Sequence, residues 1–116
     1  MKNRPFGATS RQVSEIGQGT WNIENVAVAT SVAALRRGID SGLSHIDTAE
    51  LYGSGRAEQV IAKAIAGRRD EIFLVSKVLP SNASRKGLVR ACDARLARLQ
   101  FETGAASLAP PGRAAE

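Results

Sequence analysis

Three polar side chains, an acid, a phenol and an amine, are spaced so that they could deliver a proton together. Asp47 ends a short apolar stretch, Tyr52 follows five residues later, and Lys77 ends a second apolar stretch. A free tyrosine is a poor proton donor at neutral pH, but a nearby ammonium group stabilises its phenolate form. Lys77 could supply that ammonium, with Asp47 holding it charged and oriented. Tyr52 would then be a general acid for an oxygen that gains negative charge, such as a carbonyl oxygen receiving hydride.

Each of these residues also has a purely structural explanation. An aspartate after a strand often caps the next turn, a loop tyrosine often only packs, and a lysine at a strand end is usually solvated. Taken singly, each residue is better explained this way. Three other residues also have structural explanations. Trp21 could belong to the core, and Cys92 lies on the apolar face of its helix. His45 lies at the start of its strand, away from the end where Asp47 lies, and is interpreted as structural.

The elements that must position these residues form a repeating pattern. Strand-like segments start near positions 16, 44 and 72, which are 28 residues apart, and a helical pattern follows each one. This pitch predicts three βα units with parallel strands and right-handed crossovers, preceded by a hairpin over residues 4–14. Parallel strands end at one edge of a sheet, ~4.8 Å apart, so Asp47 and Lys77 are predicted to form an ion pair there, with Tyr52 above it.

Apolar spacing predicts where the helices bury their faces. The first helix ends near Gly38 or Gly42, and one of its faces is lined by Val28, Val32, Leu35 and Ile39. The second is closed by Gly67 and is marked by Ala57, Val60, Ile61, Ala64 and Ile65. The nearly unbroken apolar run at residues 72–75 is typical of a strand buried on both faces. The apolar face of the third helix is predicted to contain Leu88, Val89, Cys92, Leu96 and Leu99.

Composition excludes several classes of protein. With 116 residues, 43% hydrophobic and 23% charged, the chain is expected to be one soluble, cytoplasmic domain without a signal peptide or membrane span. One cysteine, and no Cys/His cluster at metal-ligand spacing, predict no metal site. The net charge of +5 could indicate nucleic acid, but the basic residues are dispersed and only 4% of residues are aromatic. A solvated arginine-rich surface is the preferred interpretation, with no nucleic-acid partner.

Four sequence blocks resemble the aldo-keto reductase family in order and spacing. They are "RPFG", "SEIGQGTW", "AALRRGIDSGLSHIDTAELYGSGRAEQVIAKAI" and "DEIFLVSKV", within residues 4–100. The resemblance implies an α/β fold, a partial TIM (β/α)8 barrel made of the N-terminal hairpin and the first three βα units. It also implies reduction of aldehydes or ketones, small-molecule carbonyl substrates, by hydride from NADPH or sometimes NADH.

The resemblance also assigns roles to individual residues. Tyr52 would be the general acid, and Lys77 and Asp47 the partners that tune it. The residues expected near the nicotinamide, as cofactor-binding residues, are Gly19, Thr20, Trp21 and Asp47. The family does not hold its cofactor with a Rossmann fingerprint, so the short Gly17-x-Gly19 match carries no weight. The substrate, and the choice between NADPH and NADH, are not indicated.

The chain departs from the family pattern after Gln100. A fourth strand, due near residue 103, is expected to be absent, and residues 101–116 to be a disordered, non-family tail rich in Ala, Gly and Pro. The family's catalytic histidine, at the end of its fourth strand, has no counterpart, since no histidine follows His45. A complete barrel takes ~250 residues. We therefore expect a reductase truncated in its fourth unit by a shifted reading frame, weakly active or inactive.

The sequence also allows two alternatives to an enzyme. The chain could be a non-catalytic fragment that acts as an interaction module or is an inert remnant. Three strands would leave two open edges and residues 72–75 partly uncovered, which predicts weak stability or self-association. A nucleic-acid binder with a basic surface is the third and least favoured interpretation.

Overall fold

The computed structural model describes residues 1–100 and the backbone of residues 107–109. Strands β1 (Asn3–Pro5) and β2 (Gln12–Ser14) form an antiparallel hairpin. The remaining strands form one parallel sheet in the order β3 (Gly17–Gly19), β4 (His45–Asp47), β5 (Phe73–Lys77) and β6 (Ser107–Ala109). The helices are α1 (Val28–Asp40), α2 (Arg56–Ile65) and α3 (Arg85–Leu99).

The predicted order of elements is confirmed. The hairpin is followed by three βα units, and β3, β4 and β5 begin at Gly17, His45 and Phe73, which keeps the 28-residue pitch. The strands are parallel and aligned in register, with Gly19 beside Asp47 and Asp47 beside Val75. Lys77 therefore lies one pleat beyond Asp47, at the carboxyl-terminal edge of the sheet.

The expected absence of a fourth strand is wrong. Ser107–Ala109 pairs in parallel with the free edge of β5, placing Leu108 beside Ser76 and Ala109 beside Lys77. Strand pairing uses backbone N–H and C=O groups, so a segment without an apolar period can satisfy an open edge. The rest of the expected tail, residues 101–106 and 110–116, lies outside the described residues.

The main core lies between the sheet and the helices. Side chains alternate along a strand, so Ile46 and Leu74 point to the helix side while Asp47 and Lys77 point to the other. Ile46 and Leu74 are completely buried, and each buried side chain of this size contributes ~1.5–3 kcal/mol. The core cluster consists of Leu35, Ile39, Ile46, Val60, Ile61, Ala64, Ile65, Ile72, Leu74 and Leu99.

The predicted apolar face of α3 is wrong for its first half. Leu88 and Val89 are 39% and 58% exposed. The residues that α3 buries are Gly87, Ala91, Arg95 and Leu99, spaced four apart. Arg95 turns inward because its guanidinium pairs with a buried carboxylate on α2, Glu58. The spacing of apolar residues alone cannot detect this pairing. With Arg95 facing the core, Leu88 and Val89 lie on the exposed side of α3.

The hairpin closes the other end of the sheet. The Phe6 ring lies 4.7 Å from the Phe73 ring, and the His45 ring packs edge-on against Phe73 at 5.6 Å. Residues 72–75 are consequently more buried than expected: the first three are buried, and Val75 is half-buried. His45 has the structural position predicted for it, at the end of β4 remote from Tyr52.

Candidate active site

Asp47 and Lys77 form the predicted ion pair at the carboxyl-terminal edge of the sheet. Lys77 donates from Nζ to Oδ1 of Asp47, and also to the backbone oxygen of Thr48 at 3.0 Å. The side chains of Lys77 and Asp47 are 33% and 37% exposed. The pair is thus shielded on one side by the sheet and open on the other, where a substrate could approach.

Tyr52 joins this pair from the loop that follows β4. The Lys77 Nζ atom lies over the Tyr52 ring, 5.4 Å from its centroid, within the range of a cation–π contact. Tyr52 is held by a turn in which its N–H donates to the oxygen of Ala49 at 3.1 Å. The sequence prediction that Asp47, Tyr52 and Lys77 come together is therefore matched by the geometry.

The loop that carries Tyr52 has an unusual backbone. Gly53, Ser54 and Gly55 all have positive φ angles, of 58°, 55° and 91°. This conformation is inexpensive for glycine and costly for most other residues. These three residues connect Tyr52, which lies beside Lys77, to α2, which begins at Arg56.

A cleft of about 240 Å³ opens beside the trio. Its lining combines two polar groups with apolar side chains, as is usual for sites that bind small organic molecules. The lining residues are Ala49, Leu51, Tyr52, Lys77, Val78, Leu79 and Pro80.

The residues at the end of β3 occupy different positions from one another. Thr20 is buried, and both its hydroxyl and its N–H donate to the backbone oxygen of Asp47, at 2.9 and 3.1 Å. Trp21 is 75% exposed, so the alternative that it belongs to the core is wrong. A Cβ added at Gly19 would meet no atom within 4 Å. Thr20 thus holds the backbone of Asp47 through two hydrogen bonds, whereas Gly19 and Trp21 are exposed at the surface.

Glu50 is a site residue that the sequence reasoning missed. Its carboxylate accepts from the N–H of Leu79 and from the side-chain amide of Asn82, the latter at 2.9 Å. Its own N–H donates to the backbone oxygen of Lys77 at 3.1 Å. Glu50 therefore ties the Tyr52 loop to the loop after β5, and only its place between Asp47 and Tyr52 could have drawn attention to it.

Among the described residues, no group of three or more His, Cys, Asp or Glu side chains could hold a metal ion. No helix in this part of the chain is long and apolar enough to cross a membrane.

Residues 15–104 match the sequence profile described as the Aldo/keto reductase family. The chain belongs to the aldo/keto reductase family. The methylglyoxal reductase YeaE of Escherichia coli K12 is 51% identical over 75% of this chain and 31% of its own length. The aldo-keto reductase YhdN of Bacillus subtilis is 35% identical over 88% of this chain and 35% of its own. This family member spans about a third of the curated relatives it matches.

Solved structures of the family have the same fold. The thermostable aldo-keto reductase Tm1743, crystallised with the inhibitor epalrestat, superposes with a TM-score of 0.82 at 37% identity, over 88% of this chain and 40% of its own. An aldo/keto reductase from Klebsiella pneumoniae, in complex with NADP and acetate, gives 0.75 at 49% identity, over 78% and 33%. The parallel sheet with its N-terminal hairpin is therefore part of a TIM barrel.

Proposed function

We propose that these residues form the proton-delivery side of an aldo-keto reductase site, which reduces an aldehyde or ketone with Tyr52 as the general acid. The observation that carries this proposal is the position of the Lys77 ammonium, between the Asp47 carboxylate and the Tyr52 ring. An isolated lysine at a strand end has no need of both neighbours. Membership of a reductase family supports the same chemistry.

Each residue of the trio has a defined task in this proposal. Tyr52 donates its phenolic proton to the carbonyl oxygen of the substrate as negative charge develops there. Lys77 stabilises the phenolate that remains, because its ammonium lies over the Tyr52 ring. Asp47 keeps the ammonium in place, and the Thr48 carbonyl accepts a second hydrogen bond from it. The proton donor is thereby held ready before the substrate arrives.

A nicotinamide cofactor fits the residues at the end of β3. Trp21 presents an exposed indole, Gly19 leaves open space above the backbone, and the Asp47 carboxylate is partly exposed at the same edge. We propose that these three residues border the nicotinamide ring, with Thr20 supporting Asp47. When bound, the cofactor supplies the hydride. NADPH is favoured over NADH because the K. pneumoniae relative is seen with NADP.

We propose a small reactive carbonyl compound as the substrate. The cleft beside Tyr52 and Lys77 holds about 240 Å³ and has a mostly apolar lining, which suits a small aldehyde or ketone. Methylglyoxal is the appropriate first probe, because the E. coli relative is a methylglyoxal reductase. Since the chain spans about a third of its relatives, we expect the 116 residues alone to turn over slowly.

A non-catalytic role as an interaction module is the second candidate. The exposed Leu88 and Val89 on α3 favour it, since adjacent exposed apolar side chains are common at protein contacts. The two candidates differ in whether the site binds a cofactor.

The single tryptophan provides the test of the proposed function. Titration of the purified chain with NADPH should quench the fluorescence of Trp21 in a saturable way, and Trp21→Phe provides the blank. Asp47→Asn should weaken the binding, while Arg68→Met, far from the site, should not. Absence of saturable quenching would contradict catalysis by this chain alone and favour the interaction module.

A further inference from the structure

A buried charged cluster lies behind the active site, on the helix side of the sheet. We call it the Glu58 cluster; it consists of Glu58, Ser76, Arg95 and Arg98. Oε1 of Glu58 accepts from Oγ of Ser76 at 2.9 Å and from Nε of Arg95 at 3.0 Å. Its Oε2 accepts from Nε of Arg98 at 2.6 Å. One carboxylate thus joins α2, β5 and α3.

This cluster is costly to bury. The side chains of Glu58 and Arg95 are 0% and 2% exposed, and that of Arg98 is 24% exposed. Removing charges from water costs several kcal/mol per ion, and apolar residues of similar volume often fill such a space equally well. Stability alone therefore gives no reason to keep two guanidinium groups on one carboxylate.

One arm of the cluster holds the backbone of Lys77. Nη2 of Arg95 donates to the carbonyl oxygen of Lys77 at 3.3 Å, and the same oxygen accepts from the N–H of Glu50. Ser76, the residue before Lys77, is fixed to Glu58 from the helix side of β5. The backbone at Ser76 and Lys77 is thus held by the helix layer and by the loop that follows the neighbouring strand β4.

The other arm reaches the loop of Tyr52. Arg98 passes so close to Gly55 that a Cβ built there would lie 2.7 Å from Cδ of Arg98. Gly55 is the last of the three positive-φ residues after Tyr52, and α2 begins at the next residue. Glu58 lies in the first turn of α2, so it is linked to the Tyr52 loop both through its own helix and through Arg98.

We infer that the Glu58 cluster sets the position of Lys77 relative to Tyr52. Its members are positioning residues, because none of them lines the cleft and each acts through the backbone of β5 or of the Tyr52 loop. The catalytic meaning of this inference rests on the proposed function. How firmly the Lys77 ammonium is held against Asp47 does not depend on that function.

Hydrogen exchange of lysine ammonium groups, measured by ¹⁵N NMR, tests this claim on the full chain. The Lys77 ammonium should exchange more slowly than those of the exposed Lys2, Lys63 and Lys86, because it donates to Asp47 and Thr48. Arg95→Met removes both bonds made by that guanidinium while keeping its apolar stem. Ser76→Ala removes one bond and keeps both ion pairs, so it serves if the first variant does not fold.

Arg68→Met is the matched control. Arg68 also pairs with carboxylates, those of Asp40 and Glu71, but it does so at the C-terminal end of α1. We expect Arg95→Met to speed exchange at Lys77 about tenfold, the factor for weakening one charged hydrogen bond. Ser76→Ala should speed it less, and Arg68→Met should leave it unchanged.

Three results would overturn the inference. They are an unchanged Lys77 rate in every folded variant of the cluster, an equal acceleration in Arg68→Met, and a Lys77 rate in the unaltered chain as fast as at the three exposed lysines. The measurement requires neither cofactor nor substrate. Failure to bind NADPH would therefore contradict the proposed function alone, and an unchanged Lys77 rate would contradict the positioning alone.

Discussion

Arg95 contacts the backbone of Lys77 from the helix side of the sheet. The Arg95 guanidinium donates to the backbone oxygen of Lys77, and the Lys77 side chain points to Asp47 and Tyr52. A buried charge in the helical layer is thereby connected to a partly exposed charge at the site. Residues of the Glu58 cluster are therefore expected to affect stability strongly and the site through Lys77, whereas Lys77 itself is expected to affect mainly chemistry.

Removing the Lys77 ammonium should impair chemistry far more than folding. Its ion pair with Asp47 is about one-third exposed, and such pairs contribute ~1 kcal/mol or less to stability. Lys77→Met should therefore leave the urea midpoint nearly unchanged while NADPH oxidation falls by ~100-fold or more, as for loss of general-acid catalysis. Lys63→Met, on the exposed side of α2, is the control for loss of a lysine. Equal effects of the two variants on turnover would contradict the assignment of Lys77.

Neutralising Glu58 should lower stability far more than removal of the Lys77 ammonium does. Glu58→Gln leaves Arg95 and Arg98 without a counter-charge in a buried setting, and breaking a buried pair in this way costs ~3–5 kcal/mol. The free energy of unfolding from urea denaturation measures this loss. Glu71→Gln provides the comparison, because it removes an exposed carboxylate from Arg68 and should cost clearly less. Equal losses would mean that Glu58 is more solvated than its burial indicates.

The loop after Tyr52 should reject a side chain at its last position. Gly55→Ala adds a Cβ at φ 91° and within 2.7 Å of Arg98, so conformational strain and a clash act together. We expect a loss of more than ~1–2 kcal/mol, the cost of the left-handed conformation by itself. Gly67→Ala has φ 75° with no atom within 4 Å of the added Cβ, and isolates the conformational cost. Thermal unfolding of both variants gives the difference.

The ion pair between Arg68 and Glu71 should make the stability of the protein fall in acid. The Arg68 guanidinium hydrogen-bonds Glu71 and holds the pKa of that carboxyl below its usual range. Because the folded pKa is the lower one, this contribution is present above the unfolded value of ~4.3 and is lost as the pH falls through the folded value. The free energy of unfolding of Arg68→Met should therefore decline less steeply than that of the unaltered chain from about pH 5 to about pH 3, a range of ~2 pH units around that value. Identical slopes would exclude the bridge as a source of acid sensitivity.

The sequence predicts the sheet and the trio well, for a physical reason. The 28-residue pitch places His45 and Phe73 at equivalent positions, and parallel pairing then brings Asp47 and Lys77 to one edge. These relationships depend on regular geometry, which a one-dimensional pattern specifies. The position of Tyr52 follows from its short distance along the chain to Asp47.

The features that the sequence did not reveal depend on three-dimensional partners. The rotation of α3 follows from Arg95 finding Glu58, 37 residues away along the chain, and neither residue stands out locally. The pairing of Ser107–Ala109 with β5 depends on an available backbone edge, and the side chains of that strand gave no period to read. Trp21 and Leu88 are exposed although their types suggested burial, because helix rotation and loop paths decide their surroundings.

Tyr52 delivers the proton in the proposed reaction, and one comparison tests this role most directly. NADPH oxidation with methylglyoxal is measured for the unaltered chain and for Tyr52→Phe, with the Trp21 titration confirming that both bind the cofactor. We predict slow turnover by the unaltered chain and a further fall of ~100-fold or more in Tyr52→Phe, without weaker binding. Equal turnover by the two chains would contradict the role of Tyr52 as the proton donor.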